Sequence, residues 1–330
     1  MQLALRAVAT DDATELYATG FNAWNQLIFE PSMIEEEPDD LYSFTKVLGA
    51  HTISRPLAHL CYTVVRRDEA KCLAGSHPSA TINLDTGEKD IFDHAHAISA
   101  DGAILTIEDQ DPGHSGQSIV KYPSASAWKS GTEGQSWLCK SPVRQMAAYD
   151  AGFVVLHEDA SVFTLGDGRF EDCLGRDIND SSPADEPALV ADLGDLGERV
   201  KKVVAGGYNV AALTEGGSLY LWGAESTGSR SRHQAFSDIS AMPNYVEVDG
   251  EKDVEDVALG ESHAIALTTD GRIYIIGDNA NGQLGLGRDF TAIAESWTKV
   301  DFKVPVGWKV IGVEAGPRSS FILTAKTKPE

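Results

Sequence analysis

The 330-residue chain lacks the signatures of several large protein classes. Its four cysteines, Cys61, Cys72, Cys139 and Cys173, form no C-x-x-C pair. A zinc ribbon and a disulfide framework are therefore disfavoured, and four reduced thiols are expected. No stretch approaches the roughly 18 consecutive apolar residues of a membrane-spanning helix. The opening MQLALRAVATDD is interrupted by Arg6 and followed at once by acids, which reads poorly as a secretory signal. No run of five Lys/Arg occurs; Arg66-Arg67 and Lys201-Lys202 are doublets. With Lys plus Arg at 27 and Asp plus Glu at 50, the net charge is −23. That balance disfavours a protein that works by neutralising nucleic-acid phosphates, which needs clustered cations. A soluble cytoplasmic protein is expected, with the nucleus left open, and neither direct nucleic-acid binding nor membrane insertion.

Convincing amphipathic helices are also missing, whereas 31 glycines punctuate short apolar runs. These runs repeat. Leu213, Gly217, Tyr220 and Gly223 recur 54 residues later as Leu267, Gly271, Tyr274 and Gly277. Leu156, Phe163 and Gly166 precede Leu213, Tyr220 and Gly223 by 57. Degenerate copies lie earlier, with Ile98, Gly102 and Leu105 in the same spacing and YTVVRRDEAKCLAG ending on Gly75. In each copy an AIAL-like strand, a TTDG-like turn and a RIYII-like strand make a β-hairpin. The GDNANG segment that follows reads as a further turn. Repeated all-β units of this size predict a propeller.

The chain ends add a second argument. Gly316 and Leu323 lie 56 residues beyond Gly260 and Leu267, but that copy stops before its second hairpin strand. The missing half occurs at residues 15–27. There Gly20, Asn22, Ala23, Gln26 and Leu27 match Gly277, Asn279, Ala280, Gln283 and Leu284, with Asn25 in place of Gly282. An N-terminal strand is thus expected to complete the C-terminal blade. Closing the ring this way removes an open sheet edge, and residues 1–330 are read as one domain.

The segment 258–287 carries A-x-G-x-x-H-x-x-A-L-T-x-D-G-x-x-Y-x-x-G-x-N-x-x-G-Q-L-G. It resembles the regulator of chromosome condensation family of seven-bladed propellers. Six hairpin ends can be placed, at Gly20, Gly75, Glu108, Gly166, Gly223 and Gly277; the resemblance implies seven blades. Among small single-domain members, the chain is similar to the alpha-tubulin-suppressor, or killer-toxin-insensitivity, type. That likeness implies a non-enzymatic protein-interaction role. The implied partner is a small zinc-binding electron-transfer protein of diphthamide synthesis and Elongator-dependent tRNA wobble-uridine modification. The wider family implies an alternative, guanine-nucleotide exchange on a small GTPase.

Catalytic and cofactor motifs find no support. There is no G-x-S-x-G elbow, no H-E-x-x-H and no phosphate loop followed by Lys. The glycines of GDNANGQLGLG separate β-units instead of opening a helix, so a dinucleotide loop is rejected. DQDPGHSG at 109–116 lacks calcium-loop spacing. His94 and His96 would share one strand face without a nameable third ligand, His263 reads as a tie from a strand to a neighbouring turn, and His114 and His233 sit in loops. No catalytic, cofactor or metal residue is assigned.

Partner-binding candidates rest on loops. Trp24 occupies the position of Asn281, a polar turn residue, and aromatics serve as interface anchors. Folding back onto a neighbouring blade is the competing expectation for it. Glu35, Glu36, Glu37, Asp39 and Asp40 form an acidic run that is either a solvated segment or a guide for a basic partner. Trp128 and Trp137 lie in a Ser/Gly-rich stretch, 123–141, read as an inserted loop. Trp222 falls in a hairpin and is expected in the core.

Overall fold

The computed structural model describes residues 13–30, 38–76, 96–109, 116–224, 236, 239–250, 252–290 and 293–327. Within them the chain forms strands β1 (Thr14–Gly20) and β2 (Leu41–Ala50), then a sheet of β3 (Leu57–Ala58), β4 (Tyr62–Arg67) and β5 (Ala70–Gly75). The next sheet contains β6 (His96–Ile98), β7 (Ile104–Asp109), β8 (Gln117–Tyr122) and β9 (Gln135–Leu138), with helix α1 (Ala125–Ser130) before its last strand. Sheets of β10 (Val143–Tyr149), β11 (Gly152–His157), β12 (Val162–Gly166), β13 (Ala188–Leu189) and of β14 (Val200–Gly206), β15 (Asn209–Thr214), β16 (Leu219–Gly223), β17 (Asn244–Val246) follow, joined through helix α2 (Ala191–Gly194). β18 (Val254–Leu259), β19 (His263–Thr268), β20 (Ile273–Gly277) and β21 (Ala294–Lys299) make another, and β22 (Trp308–Gly316) and β23 (Ser319–Lys326) end the described chain. The first strands of successive sheets lie side by side, β6 by β10, β10 by β14, β14 by β18, β18 by β22 and β22 by β3. This is a closed β-propeller of six sheets; a seventh is not among the described residues.

Burial explains the apolar runs. His263–Thr268 and Ile273–Gly277 are buried at every position, because each sheet is covered on both faces by its neighbours. The TTDG turn between them closes as expected: the Gly271 amide donates to the Thr268 carbonyl at 2.8 Å and the Thr268 hydroxyl to Asp270 at 2.6 Å. Glycine at the hairpin ends is a steric demand. At Gly277 (φ +110°) a Cβ would lie 2.3 Å from the Ser262 carbonyl oxygen, and at Gly20 (φ +114°) 2.3 Å from that of Arg318.

The closing sheet runs β2-β1-β23-β22. β1 pairs antiparallel with β23 from Thr14↔Ala325 through Leu16↔Leu323 to Gly20↔Ser319. The N-terminal region thus completes the C-terminal blade, and it supplies the fourth strand, β2, as well as the expected third. Leu16, Ala18, Leu27, Phe321 and Leu323 pack together beneath this seam, each buried.

One hairpin end differs from the sequence expectation. Glu108 lies in β7, the second strand of its sheet, and the third strand is β8. The Ser99–Ala103 turn closes through Gly102 N–H to Ser99 O at 3.0 Å, with Gly102 at φ +85°. It has the same chemistry as the Thr268–Arg272 turn but joins a first strand to a second. Turn residues alone therefore mislead about which hairpin they close. Residues 123–141 also differ: they hold α1 and strand β9.

His263 is buried and joins two blades. Its Nε2 lies 3.2 Å from the Ser319 carbonyl and 3.0 Å from the Ser320 hydroxyl of β23. Burial lowers its pKa from 6.5 to about 4, opposed by the Ser319 hydrogen bond, so the folded ring holds the neutral imidazole.

Two outcomes follow. Leu16→Ala and Leu323→Ala each lower stability by about 2–5 kcal/mol in urea unfolding. As register partners they are not independent, so the double variant should differ measurably from the sum of the singles. For His263, the unfolded chain binds a proton below pH 6.5 while the folded ring resists until about 4. Stability therefore falls as pH drops through that window, by up to about 1.4 kcal/mol per pH unit from this residue. His263→Gln should flatten the pH dependence of unfolding between those values relative to the parent chain.

Candidate functional site

Four first strands skip one residue of register at the same point: between Val143 and Gln145, Val200 and Lys202, Val254 and Asp256, and Val310 and Gly312. The bulge turns the residue after it toward the next sheet. Gln145 donates to the Val203 carbonyl at 2.8 Å and accepts from the Val203 amide at 3.1 Å. Lys202 reaches Asp256 at 2.7 Å and the Val257 carbonyl at 2.9 Å. Asp256 accepts the Val313 amide at 3.0 Å and pairs with Arg55 at 2.8 Å. At the fourth position Gly312 leaves room, and a Cβ there would sit 3.0 Å from the Arg55 guanidinium. Burial opposes ionisation of Asp256, but Lys202 and Arg55 outweigh it and hold the carboxyl below its ordinary range. These charges are satisfied by one another and by backbone. They stitch neighbouring sheets together.

Antiparallel order sends every first-to-second turn and every third-to-fourth loop to one face of the ring. The two are joined there by backbone bonds, Phe21 N–H to Arg318 O and Asp278 N–H to Ser262 O, both 2.9 Å. Trp24 belongs to this face, on the loop between β1 and β2, and is 49% exposed. Its loop is built like that of the clearest repeat. The Asn22 side chain accepts the Leu27 amide at 3.0 Å, as Asn279 accepts that of Leu284 at 2.9 Å. Gln26 accepts the Trp24 amide as Gln283 accepts that of Asn281, both at 2.9 Å. Asn25 takes φ +56° where Gly282 takes +79°. Trp24 does not fold into the core.

The other candidates have different placements. Asp40 accepts the Asn22 amide and the Asn281 side chain, each at 2.9 Å, so it latches the two matching loops together. Asp39 pairs with Arg288, which lowers its pKa and itself lies 4.4 Å above the Tyr42 ring. These two acids belong to an ordered junction instead of a free acidic segment; Glu35, Glu36 and Glu37 lie outside the described residues. Trp128 is 2% exposed on α1, packed with Ile104, Val120 and Tyr122, so it is a core residue and not a loop contact. Trp137 sits half-buried in β9 against its sheet's core. The inserted-loop reading missed both, because a Ser/Gly-rich composition concealed a capped helical turn: Ser124 accepts the Ala127 amide at 3.2 Å. Trp222 is fully buried, its indole donating to the Cys173 carbonyl at 3.0 Å. His96 lies in β6, and His94, His114 and His233 are outside the described residues.

Two features had no sequence signal. A cleft of about 330 Å³ opens between two sheets on the same face, lined by Ser99, Asp101, Lys121, Asp167 and Asp185 among others. The Arg169 hydrogen bond holds the Asp167 carboxyl near 2. The second is Leu60, 42% exposed on the β3–β4 turn, whose carbonyl accepts the Gln26 side-chain amide at 3.0 Å. Among the described residues, no group of three or more His, Cys, Asp or Glu side chains is arranged to hold a metal, and no helix is long and apolar enough to cross a membrane.

Comparison with known proteins agrees with this architecture. Residues 254–283 match the regulator of chromosome condensation (RCC1) repeat. The regulator of chromosome condensation of Xenopus laevis is 33% identical over 167 residues, which are 49% of this chain and 36% of that protein. Human E3 ubiquitin-protein ligase HERC2 is 36% identical over 138 residues, 42% of this chain and 3% of the ligase. The chain thus spans only a minor part of these relatives. Among solved structures, human WBSCR16 superposes with a TM-score of 0.57 at 14% identity, covering 96% of this chain and all of the other. Prp20p of Saccharomyces cerevisiae gives 0.56 at 14% identity, covering 97% and 93%. Those two likenesses are of fold. With the ring and the closing sheet in place, the chain carries an RCC1 repeat at residues 254–283 on a β-propeller whose fold is RCC1-like.

Proposed function

We propose that this propeller is a non-enzymatic docking platform that holds a partner protein on the face bearing Trp24. The observation that carries the reading is the state of that side chain. A rigid loop, fixed by the Asn22 and Gln26 hydrogen bonds, holds a large aromatic half in solvent where the clearest repeat has Asn281. Burying it against a partner would recover apolar area without first ordering the loop.

Within that role, the partner proposed is a small zinc-binding electron-transfer protein that serves diphthamide synthesis and Elongator-dependent tRNA modification. Support comes from the sequence's likeness to single-domain propellers of that type and from a net charge of −23, which favours a basic partner and weighs against a chromatin-bound role. A second reading is guanine-nucleotide exchange. It is favoured by the likeness to the regulator of chromosome condensation and to Prp20p, whose structure was described together with its binding to Gsp1p and histones. Stabilising a nucleotide-free GTPase through a protein surface needs no catalytic motif in the propeller.

Purification of the tagged chain from its own cells should retain a small zinc protein in stoichiometric amount, read by mass spectrometry and metal analysis. A preparation with no such protein rejects the first partner. Release of a fluorescent GDP analogue from a panel of small GTPases decides the second: acceleration of one supports exchange, and unchanged rates across the panel remove it.

A further inference from the structure

Three positions of the Trp24 loop, two exposed and one half-buried, depart together from the repeat it otherwise copies. Residue for residue from Gly20 and Gly277, Phe21 stands where the clear repeat has Asp278, Trp24 where it has Asn281, and Ile28 where it has Gly285. All three changes are from polar or minimal to apolar, while the residues that shape the loop, Asn22, Gln26 and Leu27, are retained. Selection for folding alone would not require this, because the polar version folds in the same protein. Trp24 is 49% and Ile28 36% exposed, and Phe21 is half-buried.

The change at Phe21 has a structural consequence. In the clear repeat the Gln283 amide donates within its own loop, to Asp278 at 3.1 Å. With Phe21 in that place no such acceptor exists, and the Gln26 amide reaches across to the next sheet, donating to the Leu60 carbonyl at 3.0 Å. Gln26 is 2% exposed. One buried amide thereby binds the backbone of both Trp24 and Leu60, and so ties together two residues from different sheets that each carry an exposed apolar side chain. Leu60 lies on the β3–β4 turn, so the patch spans the seam between the closing sheet and its neighbour.

The surroundings are acidic. Asp39 is 68% exposed on its side chain, and Asp40 underlies the loop at Asn22. Arg288 answers Asp39 at the surface, where such a pair is weak and exchanges with solvent and other cations. Beyond the rim, the whole chain contributes a net charge of −23.

We infer that Trp24, Ile28 and Leu60 form a docking patch for a partner segment that presents an aliphatic side chain flanked by lysine or arginine. This rests on the docking reading above and specifies its surface. The apolar side chain enters between Trp24 and Leu60. The flanking cations meet the acidic side of the loop at Asp39, compete with Arg288 for it, and are drawn in by the field of the chain.

The test uses the full chain and a labelled peptide of alternating lysine and leucine, with two control peptides in which leucine is replaced by serine or lysine by glutamate. Binding is read by fluorescence anisotropy. The lysine–leucine peptide should bind and both controls should fail. Trp24→Asn, the residue the clear repeat carries, and Leu60→Ser should each weaken binding by about tenfold or more, with melting temperatures near that of the parent. Raising salt to roughly 0.5 M should weaken the parent's binding further. Equal binding of the glutamate peptide, no binding of the lysine–leucine peptide, or unchanged affinity in both variants overturns the patch. Native partner capture by Trp24→Asn separates the two levels. If the variant retains the partner as the parent does, the patch is wrong while docking elsewhere stands; if the parent captures none, the docking reading itself fails.

Discussion

The pairing of β1 with β23 is the constraint on which the remaining structure depends. Backbone hydrogen bonds along Thr14–Gly20 and Ser319–Ala325 join the two described strands farthest apart in sequence. Without them β23 would keep an unpaired edge, and Leu16, Ala18, Phe321 and Leu323 would lose the core in which they are buried. The seam also sets position. β1 ends at Gly20, and the loop carrying Trp24 begins there, so the docking face is assembled only when the ring is shut. His263 adds a second tie from β19 to β23, and Thr19 a third, its hydroxyl donating to the Gly282 carbonyl at 2.8 Å.

Around the axis, adjacent sheets are held by side chains that cap the backbone of the next sheet. Gln145, Lys202 and Asp256 do this from equivalent positions with three different chemistries: a neutral amide, a cation and an anion. Apolar packing between sheets is non-directional and would tolerate sliding. A hydrogen bond to a named backbone group does not, so these contacts set the stagger of the sheets. A fixed stagger matters for a surface shared between sheets, as the Trp24 and Leu60 patch is.

What was legible in the sequence follows from how narrowly a position is constrained. The loops at 20–27 and 277–284 could be matched because Asn and Gln there satisfy particular backbone amides, and glycine or asparagine alone suits the left-handed residue. The split blade followed from the same match. Gln145, Lys202 and Asp256 escaped notice because one structural role is filled by unlike residues, so no repeat appears in the letters. Glu108 was misplaced because two kinds of hairpin share one turn chemistry. Trp128 reads as a loop residue in the sequence because the six-residue α1 is too short to show periodicity. Asp39 and Asp40 looked like part of a free acidic run, and only the structure shows them meeting Arg288, Asn22 and Asn281. Leu60 had no signal at all, since its neighbour across the seam is 34 residues away through Gln26.

The ring is closed by pairing of its first and last described strands, stitched between sheets, and carries one loop in which an internal repeat has been made apolar without loss of its frame. Hydrogen–deuterium exchange of the chain alone and in complex with its captured partner tests that account most directly. Protection should concentrate at 21–28 and 59–61, with the turns of the opposite face, such as 158–160 and 269–271, unchanged. Protection confined to that opposite face would contradict it.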